Sequence, residues 1–361
     1  MTRDPSTPGA RRPVSEPPGS SGFPERILLS HGAGGRQTQE LIARQFVPPL
    51  ANPILETLSD GALLPRLPEG HQPVLTTDAF VVDPPIFPGG DAGYLSVCGT
   101  VNDLVVSGAE PLYLTWALIL EEGAPGSLVE RCVAGAARAA AEAGVRIVAG
   151  DTKVVPRGKG DRIYITSAGL GARPLDLALG DERIVPGDAL LVSGSIGDHG
   201  ATIMALRHRI DAGALRSDCA PLATLLLPCL RACDGIKAFH DPTRGGVATT
   251  CHEVARRTGL RMHLQEEALP VRPEVRATAE LLGLDEIHLP CEGRALIWVA
   301  AEEAEALLAR LRAHPLGRGA ERIGRVTSSP AGEDAPVVLE NALGVTRPVD
   351  LLSGAGLPRI C

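Results

Sequence analysis

Two sets of residues in this 361-residue chain could do chemistry: a cysteine at its last position and three aspartates in short motifs. Cys361 ends the segment Pro358-Arg359-Ile360-Cys361 and follows glycines at 354 and 356, a pattern that predicts a movable tail. We expect Arg359 to offset the effect of the terminal carboxylate on the thiol pKa and to help the tail dock. A thiol on a movable tail indicates a carried group.

The three aspartates share one kind of context, the end of a predicted strand or helix beside glycine or threonine. Carboxylates brought together in this way are typical Mg²⁺ ligands where the ion bridges a polyphosphate, and a nearby lysine would add positive charge for phosphate oxygens. Each aspartate taken alone is more typical of a helix cap or a turn. The residues are Asp78 after Thr76-Thr77, Asp103 in Gly99-Thr100-Val101-Asn102-Asp103, and Asp151 in Gly150-Asp151-Thr152-Lys153.

A glycine-rich loop, His31-Gly32-Ala33-Gly34-Gly35, follows a short predicted strand at 26–29 and precedes a helical pattern. Its bare backbone N–H groups at Gly34 and Gly35 could bind phosphate. The loop matches neither the G-x-x-x-x-G-K-[ST] pattern nor the G-x-G-x-x-G pattern. Composition and spacing therefore leave the nucleotide hypothesis open.

The bulk properties exclude several classes of protein. A net charge of −8 argues against a general nucleic-acid binder, and no apolar run reaches the length of about 18 residues needed to cross a membrane. Residues 1–25 begin with a Pro-, Ser- and Gly-rich stretch that has no apolar signal-peptide core, so we predict a disordered tail. Eight cysteines without a secretion signal predict free thiols in a reducing, cytoplasmic location. Cys229 and Cys233 lie on an apolar helical pattern that favours core packing over zinc.

The elements that must position these residues alternate between strands and helices. In the first half the pattern predicts a strand at 74–78, a helix at 94–107, and a strand at 145–148 that ends in a loop at 150–153. In the second half it predicts helices at 199–208 and 246–257. Loop signals at 174–187 place a boundary between domains at 26–175 and 176–350, with a mobile tail at 351–361. Each half is expected to be α/β or α+β.

Seven internal motifs and the terminal tetrad occur together in one order, and on these the chain resembles the HypE family of hydrogenase maturation factors. That family belongs to the ATP-binding superfamily of aminoimidazole ribonucleotide synthetase, selenophosphate synthetase and thiamine-monophosphate kinase. The resemblance covers residues 26–361, and the terminal tetrad is specific to HypE. The motifs are His31–Gly35, Thr76–Asp78, Phe87–Asp91, Gly99–Leu104, Gly150–Val155, Gly197–Gly200, Asp241–Gly246 and Pro358–Cys361.

The resemblance implies a fold and a reaction. The fold would be the two-domain aminoimidazole ribonucleotide synthetase-like fold, with an N-terminal half that forms a homodimer through its sheet and a C-terminal α+β half. ATP and Mg²⁺ would bind between the halves. The reaction would be ATP-dependent dehydration of an S-carbamoyl group on Cys361 to an S-cyanide, for the iron of [NiFe]-hydrogenase. HypF would load the carbamoyl group, and the HypC–HypD complex would accept the cyanide.

The resemblance also implies roles for individual residues. Glu292 would be the general base, with His199 as the other candidate, for which a helix-capping or supporting role is an open alternative. Lys153 and Arg244 would neutralise charge on the transferred phosphoryl group. The Mg²⁺ ligands would be Asp78, Asp103, Asp151 and Asp241. The nucleotide would be held by Gly34, Gly35, Asp78, Asn102, Asp103, Gly150, Asp151, Thr152 and Lys153.

Two positions depart from the family pattern. Cys291 stands where asparagine is expected before Glu292, either as a silent replacement or as a second thiol near the site, and His240 stands where arginine is expected before Asp241. Two other functions remain as alternatives. A sibling synthetase would use the same nucleotide site without a terminal thiol, and the selenophosphate enzymes usually carry a reactive Cys near the glycine loop, whereas no Cys precedes Cys98 here. A pure carrier or scaffold protein would be expected to have a degenerate nucleotide site.

Overall fold

The structure, a computed structural model, describes residues 22–329, 336–352 and 357–361. Most of the predicted N-terminal tail and the glycines at 354 and 356 lie outside these residues. The first half opens with a 3₁₀ turn at Leu29–Gly32 and a π-turn at Ile42–Phe46 between two short helices. Its elements are α1 (Arg36–Leu41), α2 (Val47–Leu50), β1 (His71–Phe80), β2 (Ile86–Phe87), β3 (Gly90–Asp91), α3 (Ala92–Val106), β4 (Glu110–Glu121), α4 (Gly126–Ala143), β5 (Arg146–Val155) and β6 (Ile163–Pro174).

The first half is built on a four-stranded sheet with the order β1-β6-β4-β5. Strands β4 and β5 are parallel and are joined by α4, while β6 is antiparallel to both β1 and β4. Helix α3 packs on the sheet and on α4. The approach of α3 to α4 depends on Gly93, because a Cβ there would lie 1.8 Å from the carbonyl oxygen of Cys132.

The second half contains a seven-stranded mixed sheet with the order β13-β12-β9-β11-β7-β10-β8. Its pairs are antiparallel except for β12 with β9. Helix α6 packs on both α3 and α9 and so joins the two halves. The elements are β7 (Ala189–Val192), α5 (Asp198–His208), α6 (Ala223–Ala232), β8 (Ile236–His240), α7 (Gly246–Thr258), β9 (Leu260–Gln265), α8 (Pro273–Leu282), β10 (Leu296–Val299), α9 (Ala304–Arg312), β11 (Glu321–Ser328), β12 (Val337–Glu340) and β13 (Thr346–Pro348).

Two local predictions are wrong. Residues 26–29 form no strand beyond a single bridge from Arg26 to Pro125, since the following residues turn into a 3₁₀ helix. The segment at 150–153 is no loop but the middle of β5, where it pairs with β4 and alternates between its faces: Thr152 is buried, whereas Asp151 and Lys153 are exposed. The sequence pattern missed this because glycine and aspartate are typical of turns.

Other predictions agree with the structure. The helices expected at 94–107, 199–208 and 246–257 form within two residues of those bounds. All eight cysteines are free, and Cys229 and Cys233 are buried in the core. Among the described residues, no helix combines the length and the apolar character needed to cross a membrane.

Candidate active site

Three carboxylates meet between the two halves of the chain. Asp78 lies on β1 and points towards α3, where Thr100 donates a hydrogen bond to it at 3.4 Å, and Asp103 lies near the end of α3 and accepts one from Thr76 at 2.6 Å. Asp241 directly follows β8 of the second half. Asp103 raises the pKa of Asp78, and both raise the pKa of Asp241. The three carboxylates are therefore close enough to repel one another and form one cluster.

Burial and mutual repulsion raise the pKa values of the carboxylates in this cluster. Burial and the neighbouring Asp103 raise the pKa of Asp78 to about 6, and burial with Asp103 and Asp78 raises the pKa of Asp241 to about 7. Burial also raises the pKa of Asp103. Positive charge brought into the cluster would reverse these shifts.

The donor set fits Mg²⁺ better than it fits a softer metal, because it consists of carboxylate oxygens. Among the described residues, no group of three or more His, Cys, Asp or Glu side chains is already arranged to enclose a metal ion. Mg²⁺ commonly keeps several waters and binds through one or two carboxylates plus substrate phosphates. Asp78, Asp103 and Asp241 are therefore suited to an ion that arrives with a polyphosphate.

Glu292 lies beside the cluster and is almost fully buried, with 3% of its surface exposed. Burial raises its pKa well above the usual range, with further contributions from Asp218 and Asp241. Its Oε1 atom has no hydrogen-bond partner among the described residues. A buried polar atom without a partner is costly, so this oxygen is suited to contact a group that enters the site.

Sequence analysis missed Asp218, which fixes the loop that carries Glu292. Its two carboxylate oxygens accept hydrogen bonds from the backbone N–H groups of Glu292 and Gly293, each at 3.2 Å. Gly293 is required here, because a Cβ would lie 1.9 Å from the carbonyl oxygen of Asp218. The Glu-Gly dipeptide was the available signal, but nothing in the sequence around 218 connects it to residue 292.

The end of the chain is docked against this cluster. The Cys361 thiol lies near Glu292, and the exposed Arg244, in the loop before α7, is within hydrogen-bond reach of the sulfur. Burial raises the pKa of this thiol to about 12, helped by the Glu292 and Asp78 carboxylates and opposed by Arg244. The docked thiol is thus protonated at neutral pH and is a poor nucleophile.

Two residues predicted to act on the substrate or the nucleotide are engaged elsewhere. Both ring nitrogens of His199 are occupied, Nδ1 by the Ser217 hydroxyl at 2.8 Å and Nε2 by the Ile360 carbonyl at 2.9 Å, so the ring is not free to act as a base. Asn102 donates to the carbonyls of Ala220 and Glu292 and accepts from the Leu222 N–H. Asn102 therefore connects the two halves, and the geometry does not support nucleotide binding by its side chain.

Asp151 and Lys153 do not join the carboxylate cluster within one chain. Asp78 is on β1 and Asp151 on β5, at opposite edges of the sheet and about 14 Å apart at the usual strand spacing. Their side chains also point to opposite faces, because the strand register aligns Asp78 with Ser167, Trp116 and Gly150, and aligns Asp151 with Ala117. Asp151 instead forms a 2.7 Å ion pair with Lys153, which lowers the pKa of Asp151.

A second set of predicted residues lines a cavity of about 850 Å³ between β5 and residues 32–62. Gly150 permits close strand pairing there, because a Cβ would lie 2.7 Å from the Trp116 carbonyl oxygen. Gly34 has a φ of +78°, and its N–H donates to Thr38. Gly35 is the residue before α1 and is exposed. The predicted residues that line the cavity are Gly34, Gly150, Asp151, Thr152 and Lys153.

The two departures from the family pattern have structural partners. Cys291 is buried and accepts a hydrogen bond from the Gly197 N–H at 3.2 Å, at the start of α5. Burial raises its thiol pKa well above the usual range, so the geometry favours a structural role over a second reactive thiol. His240 contacts Asp181 at 2.7 Å.

Comparison with known proteins places the chain in a family. Residues 58–172 match the model of the AIR synthase related protein N-terminal domain, and residues 185–334 match the C-terminal domain of the same family. The carbamoyl dehydratase HypE of Cupriavidus necator is 46% identical over 339 residues, covering 93% of this chain and 95% of that protein. The HypE of Escherichia coli K12 is also 46% identical, over 93% of this chain and 99% of that protein.

A crystal structure of hydrogenase maturation protein HypE in complex with ATP superposes with a TM-score of 0.88 at 45% identity, covering 92% of this chain and 99% of that one. The chain is therefore a two-domain member of the AIR synthase related proteins. Within that group it belongs to the HypE family of carbamoyl dehydratases.

Proposed function

We propose that the chain is an ATP-dependent carbamoyl dehydratase that converts an S-carbamoyl group on Cys361 into an S-cyanide for the iron of [NiFe]-hydrogenase. The observation that carries this proposal is the position of the terminal sulfur. It is docked beside a buried glutamate with an unpartnered oxygen and beside a cluster of carboxylates suited to Mg²⁺ and phosphate. A sibling synthetase would have no use for a thiol at this place, and a pure carrier would have no use for the acidic cluster.

The reaction can be written so that its atoms balance. The carbamoyl oxygen attacks the γ-phosphorus of ATP, ADP leaves, and one N–H proton is lost, which gives a phosphorylated S-bound imidate. The second N–H proton is then removed as the C–O bond breaks and phosphate departs with the electron pair. The sum is the S-carbamoyl group plus ATP giving the S-cyanide, ADP, hydrogen phosphate and one proton. The oxygen of the lost water ends in the phosphate.

The residues of this chain supply proton transfer and positioning. Glu292 is the proposed base, because its carboxylate is held by the Asp218-bound loop next to the sulfur and burial raises its pKa well above the usual range, which makes it a stronger base. Arg244 is placed to neutralise charge on the phosphoryl group beside the carrier sulfur. Asp78, Asp103 and Asp241 would hold Mg²⁺, which would polarise the phosphates.

The proposal includes a homodimer formed through the outer face of the N-terminal sheet. That face carries exposed apolar side chains, among them Leu75 at 75% and Ile119 at 38% exposure, of the kind that mark an interaction surface. Asp151 and Lys153 point from this same face. A second copy packed on it would allow the partner's Lys153 to complete a site that one chain leaves incomplete, with ATP between the two.

The proposed partners follow from the carried group. A crystal structure of a HypE–HypF complex matches this chain with a TM-score of 0.74 at 40% identity, covering 86% of this chain and 99% of that one. We infer that HypF loads the carbamoyl group here too, and that a HypC–HypD complex takes the cyanide from Cys361. Because burial raises the pKa of the docked Cys361 thiol to about 12, we infer that loading occurs with the tail undocked.

The decisive experiment is mass spectrometry of the C-terminal peptide after protein carbamoylated on Cys361 is incubated with ATP and Mg²⁺. We expect release of ADP together with a loss of about 18 Da from that peptide, the mass of one water. ADP release without this mass change would contradict the proposal and point to a sibling chemistry. A Cys361→Ala protein should keep nucleotide binding and form no nitrile.

A further inference from the structure

The last four residues are held by their backbone and by the Arg359 side chain, which donates to the Val81 carbonyl at 3.0 Å and to Asp161 at 2.6 Å. Each of the carbonyls from Pro358 to Ile360, and the terminal carboxylate of Cys361, accepts a hydrogen bond from the body of the protein. Two of these bonds come from backbone N–H groups just after β1, Val81 to an oxygen of the Cys361 terminal carboxylate at 3.1 Å and Asp83 to the Arg359 carbonyl at 3.2 Å. The tail therefore lies against the segment that follows β1, and these backbone hydrogen bonds fix its register along that segment.

Arg207, near the end of α5, is the principal side chain in this arrangement. Its guanidinium donates to the Pro358 carbonyl at 2.5 Å, to the Arg359 carbonyl, and to the carbonyl of Asp83 at 2.6 Å. One planar group thus joins the tail to the segment on which the tail lies. A rigid fork of donors can hold several carbonyls at once, which a lysine with a single ammonium group cannot reproduce.

His199, at the start of the same helix, holds the next carbonyl. For Nε2 to donate to the Ile360 carbonyl, the ring must carry its proton on Nε2, and Nδ1 must accept from Ser217. The Phe87 ring packs edge-on against the imidazole with centroids 5.4 Å apart. The adjacent Ile360 side chain is 3% exposed, so an apolar anchor accompanies the polar contacts.

We propose that Arg207 and His199 are positioning residues that hold the carrier tail in its docked register, and thereby set its division between the dehydrating site and solvent. This inference rests on the proposed function, because only a carrier must leave the slot. Both side chains come from α5 and bind carbonyls, so they hold the tail without contacting its sulfur. The cargo can change from carbamoyl to cyanide while these contacts stay the same.

The test measures tail position directly, in nucleotide-free full-length protein, as the rate of Cys361 alkylation by iodoacetamide followed on the C-terminal peptide. The free peptide Leu-Pro-Arg-Ile-Cys gives the rate for a fully undocked thiol. We expect Arg207→Ala to raise the Cys361 rate by about 10-fold or more, since hydrogen bonds from a charged donor are lost. The Cys361 alkylation rate of Arg207→Lys should lie between those of the wild type and of Arg207→Ala. Arg256→Ala, an exposed arginine at the end of α7, should alkylate like the wild type.

Variants of His199 distinguish a positioning role from a general loss of structure. His199→Ala should also raise the alkylation rate, and His199→Gln, whose amide can donate to the Ile360 carbonyl, should restore it. In single-turnover dehydration, the Arg207→Ala and His199→Ala double variant should lose rate at an unchanged KM for ATP. Wild-type alkylation in a folded Arg207→Ala protein would overturn the inference. So would a loss of dehydration without a gain in thiol reactivity. Alkylation needs neither ATP nor cargo. It therefore tests the tail-positioning inference even if the chain proves not to dehydrate a carbamoyl group.

Discussion

The two ends of the candidate site are built in opposite ways. In the tail slot, the backbone carbonyls from Pro358 to Ile360 and the terminal carboxylate of Cys361 are hydrogen-bonded, and the apolar Ile360 is buried. In the carboxylate cluster, Asp78, Asp103 and Asp241 repel one another and have raised pKa values. A satisfied region is complete as it stands, whereas an electrostatically frustrated one is suited to a ligand. This contrast is what we expect if the tail is the protein's own part of the site and the proposed Mg²⁺ with its nucleotide is supplied from outside.

The largest expected effect comes from removing one negative charge from the carboxylate cluster. Asp103→Asn should reduce the rate of dehydration by about 1,000-fold or more, because Mg²⁺ and the phosphates lose a ligand and its charge. The same change should stabilise the ligand-free protein, raising Tm by about 1–4 °C, since a repulsive carboxylate is gone. Asp234→Asn, at an exposed position, is the matched control. A loss of activity accompanied by a lower Tm would mean that Asp103 is a structural residue and would break the comparison.

A second prediction concerns Lys153, which belongs to neither end within one chain. If the partner's Lys153 completes the site, mixing Lys153→Ala chains with Cys361→Ala chains should restore activity that each homodimer lacks. Random reassortment makes half the dimers mixed, each with one complete site, so about a quarter of wild-type activity is expected. The measurement is nitrile formation on the C-terminal peptide after subunit exchange. Mixtures that remain as inactive as the two parents would show that Lys153 serves its own chain, and an active Lys153→Ala homodimer would show that Lys153 does not act.

The third prediction uses the pH dependence of the carboxylate cluster. The cation must displace protons from Asp78 and Asp241, whose pKa values are about 6 and about 7. Affinity for Mg²⁺-ATP should therefore fall by about 10-fold or more between pH 8 and pH 5.5. The ligand-free protein should show the reverse trend. Because the native state binds more protons than the unfolded state between about pH 4 and 7, its stability rises as pH falls through that window. Calorimetry measures the affinity for Mg²⁺-ATP, and thermal melts measure the stability of the ligand-free protein. If affinity and stability both fell as pH falls, the assignment of Asp78 and Asp241 as cation ligands would be contradicted.

The sequence predicted some features of the site and not others. Motif identity was sufficient for residues whose chemistry is unusual wherever they occur, such as the terminal Cys361 and the carboxylates at strand and helix ends. Motif identity was not sufficient to predict the direction in which a side chain points. Asp151 follows a glycine as Asp78 follows a threonine, yet strand register turns the two to opposite faces of the sheet. The motif containing Asn102 did not reveal that its amide faces the other half of the chain.

The supporting residues were beyond sequence reasoning for a further physical reason. Asp218 acts on backbone N–H groups 74 and 75 positions away, and Arg207 acts on carbonyls more than 150 positions away. Backbone groups are the same for every residue type, so their partners leave no complementary pattern in a single sequence. The fold class depends on local periodicity and could be predicted, whereas these contacts depend on how distant segments meet.

The smallest expected effect tests whether the two ends depend on a common support. Asn102 holds the Glu292 carbonyl at 3.3 Å and the Ala220 carbonyl at 3.1 Å, and its Oδ1 accepts from the Leu222 N–H at 2.8 Å. Asn102→Ala would leave these buried groups unpaired, so the free energy of unfolding should fall by about 2–4 kcal/mol. Dehydration should slow by about 10-fold as Glu292 loses its position, while the KM for ATP stays the same. A raised KM with unchanged stability would restore Asn102 to the nucleotide site, since such a result requires contact with the ligand and none with the protein.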